Sequence, residues 1–378
     1  MYIRAMEDEV NPFLLQGYAG PDTFCDREQE LAFLAEAMAN QRNVSLISLR
    51  RLGKTALIRH FFATQKRFTP AFVDLYRTVD QQDMVLRIVR EVLRQVGKPT
   101  GAWLREAGQA LRSLELSLQF DALTGLPEFG VTARPGKSQA MALDELFRLL
   151  EKRHKPVVIA LDEFQQVAGY PERNTEALLR EQVQQLRNVQ FIFSGSDRRM
   201  MQAIFAQGKR PFYQATEPLY LGPIPEAAYT AFILRHFRQG RRQRMDAELV
   251  RQGLSWCHGH TYYVQYLFNR LYALGLPRYG AMDLLSVQAG ILKERAPEYM
   301  TVERLLSPHQ AALLRAVAKE GAVPRPGAGG FIRKYGLSAV STVRQSLGVL
   351  LEKELLHQAA DGYRVTDVFL GHWLAEGV

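Results

Sequence analysis

Three short stretches gather residue types suited to phosphate chemistry. The first is "SLRRLGKTALI", residues 48–58. A phosphate-binding loop reads G-x-x-x-x-G-K-[ST] and joins a strand to a helix. Gly53, Lys54 and Thr55 close this loop, Arg50, Arg51 and Leu52 fill it, and Ser48 stands where the first glycine is usual. Gly53 lets the backbone approach phosphate, Lys54 supplies charge, and Thr55 offers its hydroxyl to Mg²⁺. The helix running on from Ala56 points the positive end of its dipole at the same place. Serine can start such a loop if its φ stays negative. The second stretch, "PVVIALDEF", is an apolar run ending in Asp162 and Glu163. Asp162 is placed to hold Mg²⁺ through water, and Glu163 to accept a proton from an attacking water. The third, "VQFIFSGS", ends in Ser194-Gly195-Ser196, where a hydroxyl can reach a γ-phosphate.

These residues work together only if the right elements carry them. "NVSLISL" is a short buried strand before the loop, and "ALIRHFFATQ" is a helix after it. "AFVDLY" is a strand, and "DMVLRIVREVLRQV" is a helix with one aliphatic face. With "PVVIALDEF", "VQFIFSGS" and "PLYLGPI", apolar strands alternate with helices, which predicts a mostly parallel sheet covered on both faces. Before it, "FCDREQELAFLAEAM" predicts a helix capped by Asp26, with Gln29 as reciprocal partner. "LELSLQFDALTGLPEFGVTARPG" breaks the rhythm and reads as a β-hairpin insertion near 115–135, turning at Thr124–Gly125. The expected division is 1–224 for the phosphate-loop domain, 225–305 for a helical domain and 306–378 for a winged helix. The last unit reads as three helices, a hairpin turning at Asp361–Gly362, and a final helix "VFLGHWL".

Bulk properties narrow the class. The 378 residues exceed one ordinary core and fit two or three domains. Hydrophobic residues make up 47% and charged residues 23%, a normal globular balance. No apolar run of about 20 residues predicts a membrane span, and the N-terminus has no signal-like apolar segment. Cys25 and Cys257 cannot form a disulfide framework, so a reducing cytoplasm is the expected setting. A net charge of +9 admits a polyanionic partner without requiring one. Cys257, His258 and His260 lack the second ligand pair that a zinc site needs. Tyr262, Tyr263, Tyr266 and Phe268 read as helical core, and "GRRQR", residues 240–244, as a solvated loop.

"TFCDREQELAFL", "SLRRLGKTALI", "VIALDEFQQV", "FIFSGSDRRMM", "KRPFY" and "YRVTDVFLGHWL" occur in this order. As a set they resemble the archaeal-type ATPase family in the STAND/AAA+ branch of P-loop NTPases. The resemblance implies an α/β fold: a five-stranded ASCE P-loop NTPase sheet, a helical lid domain and a C-terminal winged-helix domain. It implies ATP/ADP and Mg²⁺ as cofactors, with Lys54 and Thr55 on phosphate and metal, Asp162 on the metal and Glu163 as general base. It also implies γ-phosphate sensing by Ser196 and base-side closure by the segment around Arg27. "GHTYY", residues 259–263, resembles the lid motif G-x-P-Y and brings His260 near the nucleotide, with Thr261 at the proline position. In AAA+ relatives an arginine in the region of Arg210 completes a neighbouring subunit's site; pairing within its own chain is the alternative. Arg50 and Arg51 stand between phosphate contact and a solvated surface role.

The expected function is therefore a nucleotide-driven switch: an ATP-binding protein hydrolysing ATP with Mg²⁺. Two alternatives stay open. One is a DNA-binding regulator in which the winged helix, with Arg333, Lys334, Arg344 and Lys353, contacts double-stranded DNA and nucleotide acts as effector. The other is a non-hydrolysing ATP/ADP-binding scaffold. A homo-oligomer or a protein partner is compatible with each, and a membrane with none.

Overall fold

The computed structural model describes residues 10–97, 101–120, 127–134, 138–239 and 244–377. They fall into two compact units: one covers residues 16–224, and the other joins residues 10–15 to 225–377. The predicted turn at Thr124–Gly125 and most of the 240–244 run lie outside the described residues.

In the first unit the elements follow in the order α1 (Glu28–Ala39), β1 (Val44–Ile47), α2 (Lys54–Thr64), β2 (Thr69–Asp74), α3 (Gln81–Val96), α4 (Gly101–Ala110), β3 (Leu114–Phe120), β4 (Pro127–Ala133), α5 (Gln139–Glu151), β5 (Val157–Asp162), α6 (Thr175–Val183), β6 (Val189–Gly195), α7 (Arg198–Ala206) and β7 (Glu217–Tyr220). Strands β2-β5-β6-β1-β7 form one five-stranded sheet, every pairing in it parallel. Side chains alternate across it. Val157, Ile159 and Leu161 of β5 enter the core under α3 and α5, whereas Val158 and Ala160 join Leu34, Leu57 and Phe61 of α1 and α2. Such two-sided burial is why these strands are apolar without interruption. Strands β3 and β4 pair antiparallel as a separate hairpin, Leu114 opposite Ala133.

The strand order sets the chemistry. Because β6 lies between β1 and β5, Ile47 aligns with Gly195, and Leu161 with Phe193. The C-terminal ends of all three strands therefore open on one edge.

The start of α1 differs from expectation. Its N-cap is Arg27, with φ 72°, and no side chain caps the helix; Asp26 is also left-handed. The Asp26–Gln29 capping box does not form, because the chain turns at 26–27 to bury the Arg27 side chain.

The second unit holds α8 (Glu226–Gln239), α9 (Ala247–Trp256), α10 (Thr261–Ala273), α11 (Ala281–Arg304), α12 (Pro308–Glu320), α13 (Gly329–Tyr335), α14 (Val340–Glu352), β8 (Leu356–Ala359), β9 (Gly362–Val365) and α15 (Val368–Glu376). The hairpin turns over residues 360–361, and Gly362 already opposes Ala359 in the ladder. Gly362 has φ 137°, and a Cβ there would sit 2.5 Å from the carbonyl carbon of Val323, which bridges Tyr363. Only glycine fits that approach.

The lid and winged helix, separated at about 305 by sequence, form one body here. On α15, Phe369 packs edge-on against Tyr263 with ring centroids 4.7 Å apart, and His372 stacks on Trp256 at 4.8 Å. His372 Nε2 also lies 2.8 Å from the Trp256 carbonyl oxygen. Of the four aromatics expected in this core, Tyr263 and Phe268 are buried and Tyr262 and Tyr266 half-buried. Residues 10–15 belong to this body too. Phe13 is fully buried among Phe232, Phe237, Phe268 and Tyr272. Asn11 and Asn269 pin the segment, each side-chain amide donating to the other strand of chain: Asn11 to the Asn269 carbonyl at 3.0 Å, Asn269 to the Phe13 carbonyl at 2.7 Å.

Candidate nucleotide site

The loop after β1 ends at Gly53, the N-cap of α2, with φ 93°. Arg51 is also left-handed, at φ 65°, whereas Ser48 is not among the residues with positive φ. The first position of this loop therefore does not need glycine. No side chain caps α2. The N-terminal turn of a helix exposes N–H groups and a positive dipole end, and an uncapped one is suited to an anion. Lys54 begins this helix, 6% exposed, and its ammonium donates to Ser48 Oγ at 3.0 Å and to the Leu49 carbonyl at 3.3 Å. The serine that replaces glycine thus gives the lysine a resting partner. Arg50 and Arg51 are exposed, Leu52 is buried, and Ala56 is half-buried in the first turn of α2.

Asp162, 5% exposed, is the hub of the opposite wall. Its Oδ2 accepts from Thr55 Oγ1 at 2.8 Å, and its Oδ1 accepts from Ser194 Oγ at 2.5 Å and from the Glu163 N–H at 3.1 Å. Thr55 remains exposed, so its oxygen faces the site. This donor set fits Mg²⁺. The ion takes oxygen ligands, keeps several waters, and uses one or two carboxylates plus substrate phosphates in place of a protein cage.

Glu163 follows with φ 56°, a left-handed conformation costing on the order of 1 kcal/mol outside glycine. The turn swings its side chain off the line of β5. Its Oε2 accepts from Ser196 Oγ at 2.7 Å and from the Gln165 amide. Ser194 and Ser196 lie two apart at the end of β6, so both point to one face. The first holds Asp162 and the second Glu163. The sequence marked Ser194-Gly195-Ser196 as one hydroxyl source and the resemblance singled out Ser196, but neither gave Ser194 or Gln165 a role of its own. The signal was available in the strand order, since β6 beside β5 must set its end residues against Asp162 and Glu163.

Other predicted residues stand elsewhere. Arg27, 4% exposed, donates to the Gly222 carbonyl at 2.7 Å, to the Leu52 carbonyl at 3.4 Å and to Glu30 at 2.8 Å. It ties the helix start to the loop and to the segment after β7. Arg210 pairs with Glu176 at 2.5 Å within its own unit. Burial raises the Glu176 carboxyl above the ordinary range, and Arg210 pulls it back down. His260 is the N-cap of α10 in the other unit, its ring 5.0 Å from that of Tyr263. Cys25 and Cys257 are buried free thiols.

A family model described as an ATPase domain predominantly from Archaea matches residues 24–207. One described as a probable winged helix domain matches residues 297–376, starting inside α11. No curated protein matches the sequence. Among solved structures, the chain is similar to the Walker-type ATPase paby2304 of Pyrococcus abyssi, with TM-score 0.69 and 18% identity, covering 96% of this chain and 99% of that one. It is also similar to the ORC2 protein of Aeropyrum pernix in its ADPNP-ADP complexes, with TM-score 0.61 and 15% identity over 98% of this chain and 96% of that one. The ADP form of that protein gives TM-score 0.55 at 14% identity, over 96% of this chain and 97% of that one. At such identities the likeness is one of fold. No helix among the described residues is long and apolar enough to cross a membrane.

Proposed function

We propose that this chain, which matches the archaeal ATPase-domain model over residues 24–207 and a winged-helix model over 297–376, hydrolyses ATP with Mg²⁺ as a nucleotide-driven conformational switch. One observation carries the reading: Thr55 Oγ1 lies 2.8 Å from Asp162 Oδ2 beside the uncapped start of α2, with Glu163 next in the chain. The N-terminal turn of α2 and Lys54 bind the β- and γ-phosphates. Thr55 and Asp162 would hold Mg²⁺, which neutralises phosphate charge when bound. Glu163 accepts a proton from water as that oxygen bonds to the γ-phosphorus. The bond from phosphorus to the bridging oxygen breaks, and ADP leaves with its electron pair. Ser196 donates to a γ-phosphate oxygen, so its partner changes with the nucleotide, and this exchange supplies the switch.

The test is Glu163→Gln, which keeps the shape and loses the base. It should bind ATP with wild-type affinity and release no phosphate in single turnover. Wild-type release by the variant would remove Glu163 from the mechanism, and no release by the wild type itself would favour the ATP/ADP scaffold.

A second reading makes the winged helix a DNA contact with nucleotide as effector. It draws support from α14, whose exposed residues include Ser341, Arg344 and Gln345, side chains able to donate to phosphate. Duplex affinity should then fall with salt at a log–log slope of about −0.9 per phosphate neutralised. Absence of duplex binding at low salt, with and without nucleotide, would end it.

A further inference from the structure

Gln165 has no part in the mechanism above, yet its side chain is placed with unusual constraint. It sits in the 3₁₀ turn Phe164–Gly169 that follows β5. That turn is anchored on both sides of the glutamine. Phe164 is fully buried, its ring 4.7 Å from Phe193 and 5.4 Å from Phe212, and Val167 is buried as well. The backbone of Gln165 is therefore fixed to the core beneath the site. Its Nε2 donates to Glu163 Oε2 and lies 3.3 Å from Ser196 Oγ.

Two further features show that this orientation is selected. Gln165 Oε1 is buried with no hydrogen-bond partner. Turning the amide over would aim Oε1 at the carboxylate, acceptor against acceptor, so the group leaves one atom unsatisfied to keep Nε2 on Glu163. Gly195 makes the room: a Cβ there would come within 2.3 Å of Gln165 Oε1 and 2.5 Å of Met201 Sδ.

We propose that Gln165 is a positioning residue that holds the Glu163 carboxylate in place when Ser196 turns to the nucleotide. Ser196 has a single hydroxyl proton, and in this structure it goes to Glu163 Oε2 at 2.7 Å. The same proton cannot serve a γ-phosphate. When Ser196 is recruited there, Glu163 loses one of its two clamps, and the Gln165 amide keeps the other. Both bonds fall on Oε2, which leaves Oε1 outside the clamp and available to the water. The proposal rests on the reading of Glu163 as general base.

The experiment compares Gln165→Leu, Glu163→Gln and the double variant in the full chain. Gln165→Leu keeps bulk and cannot donate. It should bind ATP within about twofold of wild type, with an unchanged KM, and lose turnover by about tenfold to a hundredfold, the effect of a slightly misplaced catalytic group. Gln165→Asn, which retains the donor on a shorter stem, should recover part of the rate. In the Glu163→Gln background Gln165→Leu should cost nothing more, whereas a packing role would lower both backgrounds alike. A spectroscopic readout runs beside it: the Gln165 side-chain amide protons, assigned by their loss in Gln165→Leu, should exchange slowly and shift in Glu163→Gln. Full turnover in Gln165→Leu with Glu163→Gln inactive overturns this proposal alone. Full turnover in Glu163→Gln overturns the base assignment and this proposal with it. If the wild type does not hydrolyse ATP, amide protons that ignore Glu163→Gln overturn the clamp directly.

Discussion

Asp162→Asn separates the metal role proposed for this carboxylate from its structural one. In the nucleotide-free protein Asp162 accepts from Thr55, Ser194 and the Glu163 N–H at 2.8, 2.5 and 3.1 Å. An asparagine keeps its oxygen on Ser194 and the Glu163 N–H and turns its amide nitrogen to Thr55, whose hydroxyl can rotate to accept from it. All three charge-assisted bonds become neutral ones, a loss of about 1–3 kcal/mol in total. Removing a charge that is 5% exposed offsets much of that. The nucleotide-free variant should stay within about 1 kcal/mol of wild type. Ligand linkage behaves differently. ATP with Mg²⁺ at a hundred times its Kd stabilises by about 2.7 kcal/mol. For a unit spanning residues 16–224, unfolding entropy near 2.1 cal/mol/K per residue makes that about 6 °C in Tm. Scanning fluorimetry with ATP, with and without Mg²⁺, should show the Mg²⁺-dependent part of this shift in wild type. In Asp162→Asn the two traces should coincide. A full Mg²⁺-dependent shift in the variant would refute the assignment of Asp162 to the metal.

Ser48→Ala removes a resting partner of Lys54 while keeping negative φ easy, so ATP should bind up to about tenfold tighter by calorimetry; unchanged or weaker binding would show that the bond survives in the complex. Phe13→Ala empties a fully buried aromatic site in the helical body and should cost about 3–5 kcal/mol, read as a lowered calorimetric transition; a loss below about 1 kcal/mol would mean that the N-terminal segment is not part of that core. His258 is pushed down to about 4 by burial first, then by the charges of His372, Arg364 and His357, with Asp361 pulling the other way. The folded form then binds fewer protons than the unfolded one, so this stability is present above about 6.5 and is lost as pH falls toward 4. His258 is nevertheless an exposed residue, and solvent screening discounts the effect to about 1 kcal/mol. His258→Asn, which tolerates the φ of 51° there, should flatten that limb in Tm measured from pH 7.5 to 5, and an identical slope would exclude His258 as its source.

What the sequence disclosed depended on whether a signal was local. The loop, both carboxylates and the serine pair were legible because each sits at the end of a short apolar run, where period and turn residues mark the strand end. The hairpin and the final helices were legible for the same reason. The capping box at Asp26 misled, since a capping pattern cannot report that Arg27 is needed 195 residues away at Gly222. Phe13 carried no mark of the unit that takes it; the short apolar run Phe13-Leu14-Leu15 is too brief to show a period and looks alike whichever core it enters. Gln165 was hidden by its ordinary type. Only the approach of Gly195, fixed by the parallel register of β6, shows why an amide is held there.

Ser48 and Gln165 show one physical rule from two sides. A site that must receive a highly charged ligand has charged groups of its own to hold before the ligand comes, and a buried charge without a partner is costly. The chain meets this with neutral side chains. Ser48 and a loop carbonyl hold the Lys54 ammonium, Thr55 and Ser194 hold Asp162, and Ser196 and Gln165 hold Glu163. Salt bridges among these same charges would neutralise them more strongly, but each would then have to be broken for phosphate to bind. Hydroxyls can rotate from one acceptor to another without crossing such a barrier. The departure at position 48 from a glycine therefore belongs with the serines and threonine across the site: it replaces backbone freedom that the negative φ does not need with an acceptor that the lysine uses.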